Sequence, residues 1–227
     1  QAKDIRNVAV VGHAGSGKTM LCESMLVCGG KIKRLGSIEA GTTVSDFHED
    51  EQQHGMSLHE TVLNVEWLDR KLNLLDCPGY LDFIGETLSA YRVCDFAMIV
   101  VNASHGIEVG TDLVWDYASQ MKIPKMIIIN DIDKEHAQFD EVLGKLRDHF
   151  TPKLFPLTLP INPGSGFNQL LDVMRSEVVT YAQDDSGKFD ESPAKGEWKD
   201  KVQALHRELI ELVAGADDKL MEKFFEE

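Results

Sequence analysis

The sequence predicts an α/β fold, a mostly parallel β-sheet covered by helices, and three observations carry that prediction. Four short apolar runs, at 8–11, 72–75, 96–101 and 126–129, all but the second rich in Val and Ile, are separated by stretches of helical spacing, the pattern of parallel strands joined by crossover helices. The run at 72–75 is apolar on both sides of the pleat, as a strand covered on both faces must be. A glycine-rich loop follows the first run, Asp76 the second and Asn130 the last. All three therefore fall at the carboxyl edge, where such sheets bind ligands.

Composition narrows the class further. A chain of 227 residues with 43% apolar residues can bury a proper core. No run approaches the roughly 20 apolar residues that span a bilayer, and residues 1–7 carry no signal-peptide pattern. The expectation is a soluble, cytoplasmic monomer with no membrane partner. Cys22, Cys28, Cys77 and Cys94 form no C-x-x-C pair and read as reduced thiols. A formal net charge of −15 argues against coating nucleic acid by phosphate neutralisation.

The elements follow in order. The first strand leads through the glycine loop into a helix over 19–28. Residues 30–60 are polar and aperiodic, with Gly36, Gly41 and Gly55, and read as a functional lid or a disordered region. Residues 58–68 alternate as a strand able to pair antiparallel with 71–75 across an Asp69-Arg70 turn. Helices are expected over 110–120 and over 135–150, the latter with Phe139, Val142, Leu143 and Leu146 at helical intervals. A last strand is expected at 155–161, a polar linker over 184–196 and two short helices around Gly215 within 199–227. The resulting division is a sheet domain over 1–160 and an appended part over 161–227.

The chemistry lies on the loops. "GHAGSGKT", Gly12 to Thr19, fits G-x-x-x-x-G-K-[ST] in its required place, after a strand and before a helix. Gly15 and Gly17 let the backbone N–H groups curl inward as a nest for phosphate oxygens at a helix amino terminus. His13, Ala14 and Ser16 complete the loop, and Met20 continues the first helical turn. Lys18 supplies a point charge for the β- and γ-phosphates and Thr19 a hard oxygen for Mg²⁺. "LNLLDCPGY", Leu72 to Tyr80, ends its strand on Asp76. That carboxylate belongs beside the magnesium, and the Gly79 N–H is available to the γ-phosphate. "INDID" puts Asn130 and Asp133 at the same edge. A carboxylate there accepts from guanine N1–H and the 2-amino group, whereas adenine would leave it unpaired.

In this order the motifs resemble the GTP-binding domain of translational GTPases, most closely the elongation factor G family, over essentially the whole chain. "HGMSLHETV" stands where the family carries Arg-Gly-Ile-Thr, and "LTLPINPGSGFNQLLDVM" looks like the start of its G′ insert. The resemblance implies a P-loop NTPase fold with a partial G′ insert, GTP/GDP and Mg²⁺ as cofactors, GTP hydrolysis, and the ribosome as partner. It puts Ser57 on the switch I threonine that ligates Mg²⁺. Most members carry His where this chain has Tyr80, the position that orients the attacking water; a phenol is neutral at pH 7 and serves by its hydroxyl. This substitution resembles a divergent elongation factor G-like paralogue group. Asp131 replaces the lysine of Asn-Lys-x-Asp, which lies along the base and braces the P-loop, so the resemblance implies a negative charge near the phosphates. The family's Ser-Ala motif and later domains would follow Glu227, so an excised fragment is expected. Two alternatives stand beside this reading: a degenerate nucleotide-sensing or ribosome-binding module without efficient hydrolysis, and a related ribosomal-protection or release-factor GTPase.

Overall fold

The structure is a computed structural model and describes residues 2–184 and 187–214. The chain packs as two units that divide between Asp131 and Ile132.

In the first unit, β1 (Ile5–Val11), β2 (Thr61–Trp67), β3 (Arg70–Asp76), β4 (Phe96–Asn102) and β5 (Lys125–Asn130) form one sheet in the order β2-β3-β1-β4-β5. β1 pairs parallel with β3 and β4, and β4 pairs parallel with β5; β2 alone runs antiparallel. The registers align Val10 with Asp76 and Asn102 with Asn130, so the polar strand ends share one edge, as the sequence implies. β1 is buried from Val8 to Val11. Successive side chains alternate across the sheet, so both faces must be covered. On one, Cys22 and Leu26 of α1 (Lys18–Cys28) pack with Val8, Val10, Leu63, Leu74 and Val100. α3 (Ile84–Tyr91) packs on β1, α4 (Val109–Gln120) packs on β4, and the Tyr91 hydroxyl donates to Val114 O at 2.8 Å.

β2 shows the half-buried alternation expected of an edge strand, with Thr61, Leu63 and Val65 inward and Val62, Asn64 and Glu66 outward. Its turn falls at Leu68 and Asp69, both at positive φ, one residue before the expected Asp69-Arg70 position. Two such residues give the turn whose twist matches a hairpin. Within the polar stretch after α1, the structure forms α2 (Glu49–His54).

The second unit contains α5 (Phe139–His149), an antiparallel sheet of β6 (Thr158–Pro160), β7 (Gln169–Asp172), β8 (Glu177–Tyr181) and β9 (Phe189–Pro193), and α6 (Glu197–Ala214). It corrects several expectations. β6 pairs with β7 instead of extending the parallel sheet. The polar stretch over 184–196 contains β9, which pairs along its length with β8; its side chains are exposed, so no apolar pattern marks it. α6 is one helix of 18 residues, and the expected helix after Gly215 lies outside the described residues. Arg147 of α5 donates to Glu208 of α6 at 3.1 Å. Among the described residues no helix is long and apolar enough to cross a membrane.

Candidate nucleotide site

The glycine loop leaves β1 and enters α1 through Gly17, whose φ of 87° is left-handed. A side chain would be strained there, and its Cβ would also fall 2.3 Å from Asn130 Nδ2. α1 starts without a side-chain cap and with no acid in its first turn, so its first N–H groups and positive dipole end stay available to an anion. Asn130, at the end of β5, donates to Ser16 O at 3.0 Å and ties β5 to the loop.

Lys18 is nearly buried and donates to His13 O at 2.7 Å. Burial lowers its pKa, while the Asp76 carboxylate opposes the shift. The His13 ring serves a neighbour: its Nδ1 accepts the Gly110 N–H at 3.2 Å and its Nε2 faces Glu108 at 3.5 Å. Only the His13 backbone therefore turns to Lys18. Gly79 lies against the loop, where a Cβ would meet Lys18 Nζ at 2.4 Å and Ala14 N at 2.7 Å. Lys18, Ser57, Gly79 and Tyr80 line one cavity of about 280 Å³, with Ala14, Ile38 and Met56 among its apolar members. Tyr80 is about half exposed at the start of a short 3-10 turn.

Asp76 is fully buried, and burial pushes its carboxyl pKa up to about 6; hydroxyls of Ser45 and Thr19 and the charge of Lys18 pull the other way. Ser45 Oγ donates to Asp76 Oδ2 at 2.6 Å, whereas Asp76 Oδ1 has no hydrogen-bond partner. The Thr19 and Ser57 hydroxyls are 3.1 Å apart. Asp46, also buried, lines the same cavity, and neither of its oxygens closes a hydrogen bond. Burial raises its pKa, and the Ser57 and Thr43 hydroxyls draw it back. Two hydroxyls and buried, orphaned carboxylate oxygens are the donor set of a hard divalent cation, and they fit Mg²⁺. Among the described residues no group of three or more His, Cys, Asp or Glu side chains forms a metal cluster, so such an ion would draw its remaining ligands from phosphate and water. His48 and His59 stack edge to face at 4.8 Å, and His59 faces Asp50 at 3.3 Å.

Buried acids that sequence reasoning missed shape the stretch between α1 and β2. Glu23 accepts the N–H groups of Gly36 at 2.9 Å and Val44 at 2.6 Å. Glu51 Oε1 accepts those of Leu58 at 2.9 Å and His59 at 3.0 Å, fixing the backbone beside Ser57. Glu23 had a signal, for Thr19, Cys22, Glu23 and Leu26 share one buried stripe of α1 and an acid within it asks for donors. Asp46 and Glu51 sit in an aperiodic segment and had none. Asp131 closes the first unit at φ 60°, and its carboxylate accepts from Asn102 Nδ2 at 2.6 Å. Asp133 belongs to the second unit, where it is exposed and faces Lys134 at 3.6 Å. Met20 lies in the first turn of α1, where its carbonyl accepts from Ser24 Oγ at 2.9 Å.

The fold and this sheet edge define a P-loop nucleotide-binding domain. The sequence matches the elongation factor Tu GTP binding domain over residues 3–219, and the chain belongs to that family. It is 32% identical over 98% of its length to elongation factor G of Mycoplasma pneumoniae and 31% identical over 99% to that of Mycoplasma genitalium. A crystal structure of a protein from Thermus thermophilus superposes with a TM-score of 0.90 at 34% identity, covering 98% of this chain. The chain spans 32%, 33% and 33% of the lengths of these three relatives.

Proposed function

We propose that the chain is the GTP-binding and GTP-hydrolysing domain of an elongation factor G-like, ribosome-associated translation factor. The observation that carries this reading is the uncapped start of α1 beside buried, unsatisfied carboxylates: the first suits phosphate, the second a cation that travels with it. Lys18 and the N–H groups of 12–19 hold the phosphates. Thr19, Ser57 and Asp76 are the protein's oxygens for Mg²⁺, which when bound supplies positive charge against the β- and γ-phosphates. The Gly79 N–H faces the γ-phosphate, and Tyr80 orients water through its hydroxyl. Asn130 and Asp133 read guanine, while residues 30–55 act as the switch that orders when the γ-phosphate and Mg²⁺ recruit Ser57. Turnover alone is slow, and the ribosome supplies the stimulating surface.

Titrating the chain with GDP, a GTP analogue and ATP, with and without Mg²⁺, tests this. Selective, Mg²⁺-strengthened guanine binding is expected, and Asp133→Asn should erase the selectivity without creating ATP affinity. Equal binding of ATP and GTP would overturn it. Tyr80 favours a second reading, a sensor that binds GTP without efficient hydrolysis. Tight binding with no ribosome-stimulated phosphate release would select it.

A further inference from the structure

The charge at Asp131 is the site's departure from its family, and the structure gives it a partner that the sequence does not advertise. Asn102 ends β4 directly opposite Asn130 in the β4–β5 register and is 7% exposed. Its side chain is used at both ends. Oδ1 accepts the N–H groups of Ser104 at 2.8 Å and His105 at 3.2 Å, holding the turn after β4. Nδ2 donates to Asp131 Oδ2 at 2.6 Å, and Ala103 N donates to Asn130 O at 2.8 Å. Asp131 is held where its φ is 60°, a conformation that Asp and Asn tolerate better than other non-glycine residues. The next residue back, Asn130, braces Ser16 O and packs where Gly17 leaves no room for a Cβ.

We infer that Asn102 is a positioning residue for nucleotide binding: by anchoring the Asp131 carboxylate it fixes the turn after β5 and so holds Asn130 against the P-loop. The inference rests on the guanine-nucleotide reading above. An amide donor at 102 demands an acceptor at 131. A carboxylate at 102 would keep the bonds from Ser104 and His105 but set two negative oxygens against each other.

The test is a four-member cycle of wild type, N102D, D131N and N102D/D131N, read by affinity for fluorescent GDP and by melting of the nucleotide-free chain. N102D should weaken GDP binding by about tenfold, within the coupling expected of residues in contact. In N102D/D131N the donor and acceptor are exchanged, so affinity should return to within about threefold of wild type, a recovery that two independent structural lesions would not produce. Unchanged affinity in N102D, or a double variant no better than N102D, overturns the inference. If the wild-type chain binds no GDP, the functional reading fails, and the nucleotide-free melting points then decide the pairing. Recovery of the melting point in N102D/D131N upholds the contact, and additive losses overturn it.

Discussion

Asp76 is the residue at which function and stability oppose each other. Its folded pKa, about 6 because of burial, lies above that of an exposed aspartate. The folded state therefore binds the proton more tightly, and stability falls as pH rises from about 4 to 6 and stays at the lower level above that. At pH 7.5 the metal-free chain holds a desolvated charge. Asp76→Asn removes it while keeping an oxygen for Ser45, so the metal-free chain should melt higher by on the order of a few degrees. The same variant should lose Mg²⁺-dependent strengthening of GTP binding. Calorimetric melting at pH 7.5 and a nucleotide titration check the two halves; a lower melting point would show that burial is not what strains this carboxyl. Asp131→Lys is the complementary case. It removes a negative charge but also the acceptor for Asn102 Nδ2, a hydrogen bond to a charged group worth about 1.5–3 kcal/mol net. GDP affinity should stay within about threefold of wild type, where charge alone would predict tightening.

At the scale of elements, α1 does two jobs from one face. Its first turn holds Lys18 and Thr19, and one turn later Glu23 closes its carboxylate on Gly36 and Val44 of the following loop. Glu23→Gln keeps the shape but turns one acceptor into a donor that faces an N–H group, which leaves a buried donor unpaired at about 1–3 kcal/mol. The loop over 36–44 should then be cut faster by protease in every nucleotide state, with the rest of α1 protected. Mass spectrometry of the fragments reads this, and wild-type cleavage would remove the clasp. The elements that sequence made legible are those with a period: β1, β3, β4 and β5 as apolar runs, β2 by alternation, α1 and α4 to within a residue. α5 begins at Phe139, four residues after its expected start. Sequence reading missed α2, α3, β7, β8 and β9, and two of these lack a period altogether. α2 is six residues, five of them acids or amides, held by the buried Glu51, and β9 has exposed side chains throughout; both are stabilised by pairing and capping that a one-dimensional pattern does not encode.

For the whole molecule, local signals pointed to the glycine loop, Asp76 and Asn130 because each is tied to a strand end. They could not name Asn102, whose partner Asp131 lies 29 residues away at the same sheet edge, or Asp46, which lines the cavity from an aperiodic loop. The division between units was illegible for a related reason: β6 has strand composition, and only its partner β7 assigns it to the second sheet. The cysteines have a practical consequence. Cys22 and Cys77 are buried, with thiols pushed well up by desolvation, and Cys94 is half-buried and raised, while Cys28 is exposed at the last residue of α1. A maleimide at pH 7.5 should therefore modify Cys28 alone in the native chain and all four thiols after unfolding, counted by intact mass. The helix from Lys18 to Cys28 puts that residue roughly 15 Å along the axis from Lys18. A dye there would sit clear of the phosphates yet on the same rigid rod, so the native protein already carries its own attachment point for a fluorescent reporter of switching, with no engineered cysteine required.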